Sequence, residues 1–191
     1  AELLHGQDPV IIATDADAPG DKAAARDYWR LTAWSAIPGR APLPTGTDPA
    51  SILTSQGTPT LTTILNHSTP MATQMIHDLT STGSTAAAIT AAAAALAASP
   101  TSSWPDGINL ISRALRVPPE SVQTALTDQA RHWNTDPRKA AEQGIARDAD
   151  AHRNSRAAGS PTAQAAVEGM QERLGGPRHL GHVKTVPARR P

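Results

Sequence analysis

Val10-Ile-Ile-Ala-Thr14 is a continuous apolar run rich in β-branched residues, and it ends on Asp15-Ala-Asp17-Ala-Pro19-Gly20 with an alanine-rich segment directly behind. A short run of this kind, bounded by turn residues, is the pattern of a strand buried on both faces. Pro19 near a first turn and the acidic Asp21 open a helix. That helix is expected to run to about Ser35, where Pro38-Gly39 stops it. Ala24, Tyr28, Leu31 and Ser35 form one stripe of it, with Trp34 at the edge. A strand that turns straight into a helix begins a βαβ unit, and open α/β sheets take their ligands beyond the carboxyl ends of the strands.

The next segment, Ala41 to Leu53, carries two early prolines that allow only a short or edge strand. Asp48 before Pro49 is a helix N-cap followed by proline at the first helical position. Ala1 to Leu4 is expected to end an earlier helix closed by Gly6. Residues 1–55 therefore read as α/β, β-α-β-α from Val10 onward, with a right-handed crossover.

From Gln56 the texture changes to short helices with no strand among residues 58–133. Leu61, Ile64 and Leu65 mark the first; Met71, Met75, Ile76 and Leu79 the second. Ser84 or Thr85 caps an alanine-rich third, with Ile89 and Leu96 as its large contacts. Ile108, Ile111 and Leu115 mark a fourth. Pro118-Pro119-Glu120 opens a fifth with the stripe Val122, Leu126, Gln129 or Ala130, and Trp133. The helical region is expected to span 56–146. The polar stretch 147–191 is expected to be a disordered tail with a basic end.

Composition limits both core and chemistry. With no Phe and one Tyr, the core rests on scattered Leu, Ile and Val and four Trp. The absence of Cys excludes disulfides and thiolate metal sites and fits a reducing, cytoplasmic setting. A net charge of zero removes any global attraction for nucleic acid, so such contact must be local. No apolar run is long enough to span a bilayer, so no membrane partner is expected. The seven His show no ligand spacing and read as surface or packing residues.

Asp15 and Asp17, two apart at a strand end, are expected to face the same way. Two carboxylates with room for water suit Mg²⁺. The same residues also serve as a turn residue and a helix cap. A calcium loop counted from Asp15 fails, because Pro19 and Arg26 fall on its ligand positions. Gly20 at a helix start admits the backbone to a phosphate, and Lys22 lies within reach of one. Asp48 is both a plain N-cap and a candidate third acid facing the same pocket.

The stretch Ile11-Ile-Ala-Thr-Asp15-Ala-Asp17-Ala-Pro-Gly20-Asp-Lys22 resembles the Asp-x-Asp strand and following helix of TOPRIM domains. Leu43-Pro-Thr-Gly46-Thr-Asp48-Pro49 resembles the later Leu-Pro-x-Gly-x-Asp-Pro element of the bacterial primase branch of that family. The order and separation of the two pieces also match. The resemblance covers residues 1–55. It implies the C-terminal part of a TOPRIM domain, a Rossmann-like parallel sheet, in front of a helical region laid out as in primases.

The implied activity is nucleotidyl or phosphoryl transfer in DNA replication, with Mg²⁺ or Mn²⁺ as cofactor and single-stranded DNA and nucleotides as partners. By the resemblance Asp15 and Asp17 are catalytic metal ligands, Asp48 joins their cluster, and Gly20 and Lys22 attend a phosphate. The essential Glu of an earlier TOPRIM strand has no counterpart, since Glu2 lies on the intervening helix. Ala50 stands where primases tend to carry a further acid. The chain is therefore expected to be a fragment, inactive alone. Two other readings compete. One is a plasmid mobilisation protein of relaxase type with a TOPRIM module. The other is a non-catalytic module whose helices dock a replicative helicase.

Overall fold

The computed structural model describes residues 10–81, 85–151 and 153. The β-branched run forms strand β1 (Val10–Ile12), with Val10 and Ile12 turned into the core. Helix α1 (Ala18–Thr32) follows, N-capped by Asp17 and with proline in its first turn. Strand β2 (Pro38–Arg40) then pairs parallel to β1, matching Val10 with Pro38, Ile11 with Gly39 and Ile12 with Arg40. This is the expected strand-helix-strand unit. Its second strand comes earlier than the segment Ala41 to Leu53 in which it was sought. Pro42 and Pro44 donate no N–H to a ladder, whereas Pro38 occupies the first strand position, where the loss is tolerated.

β2 is not an edge. Strand β3 (Thr69–Pro70) lies antiparallel on its other side and gives the order β1-β2-β3. Two residues leave no periodic signal, so the strand-free reading of 58–133 missed it. Helix α2 (Pro49–Asn66) joins β2 to β3 and starts with a full capping box between Asp48 and Ser51. Gly57 breaks it with φ 80° and ψ 171°, a conformation that belongs almost only to glycine. Two helical pieces result. The first buries Ile52; Leu61, Ile64 and Leu65 on the second are only half-buried.

α1 ends three residues before Ser35, which is exposed in a left-handed turn with φ 61°. Its buried arc is wider than the expected stripe. It adds Trp29 and Thr32 to Ala24, Tyr28 and Leu31.

The remaining helices are α3 (Met71–Ser81), α4 (Thr85–Ala97), α5 (Trp104–Leu115), α6 (Pro119–Thr135) and α7 (residues 137–151). α4 packs against α3, α5 and α6. Ala88 and every residue from Ala91 to Ala97 are buried, so the C-terminal half of this helix is enclosed all round, whereas Thr85, Ala86, Ala87 and Thr90 are exposed. Alanine methyls let neighbouring helices approach closely. The core is thus built on an alanine rod, with Met75, Ile76, Ile111, Val122 and Leu126 packed around it. Gly107 on α5 is part of the same fit, because a Cβ there would collide with the Leu96 side chain.

The strand unit and the helices share one core cluster, in which Val10, Ile12 and Tyr28 sit with Leu96 and Ile111. The Tyr28 hydroxyl donates to the Ala95 carbonyl at 2.6 Å. α7 closes the far side of α1. The Trp29 indole donates to Asp148 Oδ2 at 2.7 Å, and the Arg138 guanidinium lies 4.2 Å over the Trp34 ring. Residues 147–151, expected in the tail, are helical. The rest of that tail, apart from Arg153, lies outside the described residues, as do Ala1 to Leu4 and Gly6, where a helix end and its cap are expected, and Ser84. No helix among the described residues is long and apolar enough to cross a membrane.

Candidate functional site

Two acid-bearing loops leave the carboxyl ends of the parallel pair β1 and β2. Backbone hydrogen bonds lace them together. The Ala16 N–H donates to the Thr47 carbonyl at 2.8 Å, and the Gly46 N–H donates back to the Ala16 carbonyl at 2.8 Å. Asp15 and Asp17 flank one side of this lacing and Asp48 follows the other. Gly46, with φ 75°, supplies the positive φ that turns the second loop.

The first loop is held from below by α1. Thr14 Oγ1 donates to the Gly20 carbonyl at 2.8 Å. Gly20 is buried against Asp15, and a Cβ there would run into the Asp15 carbonyl oxygen. Its N–H is given to Asp17 Oδ1 at 2.7 Å, which completes the N-cap. Gly20 therefore lets the first turn of α1 seat on the Asp15 backbone, and its N–H is already used. β1 stops at Ile12, so the two-residue alternation of a strand does not extend to Asp15 and Asp17. Asp17 is set instead by its cap, in extended backbone with φ −142° and ψ 173°.

Asp15 and Asp17 are exposed and Asp48 is half-buried. Asp48 Oδ1 accepts the Ser51 N–H at 2.8 Å. A cap bond occupies one lone pair of a carboxylate and leaves others for a cation. Among the described residues no group of three or more His, Asp or Glu is gathered closely enough to cage a metal ion. Mg²⁺ does not need such a cage: one or two carboxylates, waters and substrate phosphates hold it. The hard-oxygen donors of these loops fit that mode. Lys22 is exposed at the start of the second turn of α1, and His67, His77 and His132 are exposed elsewhere.

Arg40 is the site residue that the sequence reading passed over. It ends β2 with only 6% of its surface exposed. Its Nη2 donates to Asp21 Oδ1 at 2.8 Å, while the buried Nη1 has no hydrogen-bond partner. It lines a cleft of about 480 Å³ together with Asp17, Asp21, Thr45, Thr69 and Gln74. Its neighbours Pro38, Gly39 and Pro42 read as breakers and hid the strand that buries it. The only available signal was a single arginine three residues before the Leu-Pro-x-Gly element. A second cleft, of about 570 Å³ and walled by Tyr28, Ile37, Ile76, Leu110 and Arg113, lies apart from the acids.

No family model, curated protein or solved structure matches this chain.

Proposed function

We propose that this chain is part of a Mg²⁺-dependent, DNA primase-like TOPRIM protein that transfers nucleotidyl or phosphoryl groups on nucleic acid during replication. Single-stranded DNA and nucleotides are its partners, and Mg²⁺ or Mn²⁺ is its cofactor. One observation carries the reading: the loops bearing Asp15, Asp17 and Asp48 leave the carboxyl ends of neighbouring parallel strands and are bonded through Ala16 to Gly46 and Thr47. That is where open α/β sheets hold their ligands.

In this reading Asp15 and Asp17 hold the cation and Asp48 extends the acidic rim. A bound divalent ion supplies charge neutralisation at the reacting phosphate. The chain's own part is placement. The caps at Asp17 and Asp48 fix both carboxylates relative to α1 and α2, Gly20 seats α1 beneath Asp15, and Lys22 attends a phosphate from the start of the second turn.

The test is primer synthesis on single-stranded DNA by the full-length gene product, titrated with Mg²⁺ or Mn²⁺, against the Asp15→Asn/Asp17→Asn double variant. Asparagine caps a helix about as well as aspartate, so the fold is retained while the carboxylates are lost. Loss of synthesis is expected. Synthesis at the unaltered rate rejects the metal role.

A further inference from the structure

We infer that Arg40 forms a phosphate subsite in the cleft beside the start of α1, taking a phosphate group of a nucleotide or of a polynucleotide backbone. The inference rests on the proposed metal role of Asp15 and Asp17.

Arg40 is a cation deep in the protein, with a side chain only 7% exposed. A guanidinium has five N–H donors and satisfies its burial only when they are used. Here one carboxylate, Asp21, takes Nη2, and Asp21 itself is 58% exposed. Nη1 has no partner, although the residue lines a 480 Å³ cleft. An ion pair that served only to fasten α1 to β2 would not require a second unsatisfied arm. The fork of a guanidinium matches the paired oxygens of a phosphate.

The surroundings fit the same ligand. Asp17 opens into this cleft at the positive end of the 15-residue helix α1. Thr45, Thr69 and Gln74 add neutral polar groups to its wall. Asp17 and Asp21 together outweigh Arg40, so the cleft repels a bare anion. A phosphate enters with a divalent cation that neutralises the Asp17 side, and Arg40 then holds it from beneath.

The charge balance yields a test that a purely structural arginine fails. Affinity for inorganic phosphate, a nucleoside triphosphate and a short single-stranded oligonucleotide is measured by calorimetry on the full-length gene product in Mg²⁺. Arg40→Met is expected to weaken phosphate binding tenfold or more. Asp21→Asn, which frees Nη2 and removes a negative charge, is expected to tighten it several-fold. Where Arg40→Met does not fold, Arg40→Lys carries the test, because it keeps the charge and loses the second arm. The probe most affected tells nucleotide from backbone as the source.

Mn²⁺ binding, read by electron paramagnetic resonance, separates the two layers. Unchanged phosphate affinity in the Arg40 and Asp21 variants, with Mn²⁺ still bound, overturns the subsite and leaves the metal reading standing. Failure of the parent protein to bind Mn²⁺, or binding unaffected by Asp15→Asn/Asp17→Asn, overturns both.

Discussion

Tyr28→Phe tests how the strand unit and the helices are joined. The last turn of a helix leaves carbonyls without intrahelical partners. At the end of α4 the Ala94 carbonyl accepts the Ala98 N–H, and the Ser99 N–H bonds back to Leu96. The Ala95 carbonyl accepts the Tyr28 hydroxyl at 2.6 Å, in a fully buried position. Tyr28 is thus a C-terminal cap contributed by another helix. Phenylalanine keeps the ring, which packs edge-on against Trp29 with centroids 5.3 Å apart. It leaves a buried acceptor unsatisfied, a loss of about 1–3 kcal/mol. For a chain of this size that lowers Tm by roughly 4–8 °C at the middle of the range.

The same contact has a pH signature. Burial pushes the Tyr28 hydroxyl well above its ordinary value of 10.0. In the unfolded chain the phenol loses its proton near pH 10, while the folded protein retains it. Above that pH the folded state therefore binds more protons, and stability falls as pH rises. The full contribution is present below about pH 10 and declines above it by up to ~1.4 kcal/mol per pH unit. Tyr28 is the only tyrosine in the chain, so tyrosinate absorbance at 295 nm reports it alone. The phenol is expected to titrate only together with unfolding. Titration near pH 10 in the folded protein, or a Tyr28→Phe melting point within a degree of the parent, refutes the reasoning.

Other substitutions probe separate joints of the fold. Gly144→Ala places a Cβ 2.5 Å from the Trp29 ring, which is 1% exposed, so α7 must lift; a loss of about 1–3 kcal/mol is expected in denaturant melts followed by tryptophan fluorescence. Ala93→Leu puts three more carbons into a wholly buried site on α4 and is expected to cost at least as much, read as a lower midpoint in urea. Gly57→Ala forces alanine into the glycine-only conformation of the α2 kink, with an expected destabilisation of about 1–3 kcal/mol by thermal melting.

The local chemistry of this chain was more legible than its packing. Both N-caps could be read from Asp17 and Asp48, because an acid ahead of proline at a helix start is dictated by unpaired N–H groups. The stripes at Met71, Met75 and Ile76 and at Val122, Leu126 and Ala130 are buried as their spacing predicts. The alanine helix resisted reading for a physical reason: a methyl group carries too little hydrophobic contrast to mark a face. Its enclosure follows from the geometry of α3, α5 and α6, which no local pattern encodes. Trp29 counts among the four core Trp by composition, but it lies outside the stripe expected for α1 because its burial there depends on α7, a segment that looks polar in isolation. Arg40 was missed because its strand is only three residues long and is bordered by prolines.

These joints connect the acidic loops to the helical region through one element. α1 spans about 22 Å at 1.5 Å per residue. Asp17 and Gly20 sit at one end, in the site; Tyr28 and Trp29 sit near the other, in the shared core. The first turn is pinned to Asp15 through Gly20 and to β2 through the Arg40–Asp21 pair. The last turns are pinned to α4 by Tyr28 and to α7 by Trp29. A rigid rod anchored at both ends cannot pivot at one without straining the other. The helices after residue 56 therefore help to hold the Asp15–Asp17 loop in place, although none of them contributes an acid to it. This also separates the roles of the capping acids. Asparagine at position 17 preserves the anchor and alters only the charge, whereas alanine there releases the end of the rod. A difference between those two variants in stability, with equal loss of the proposed cation binding, distinguishes the scaffold from the chemistry proposed for it.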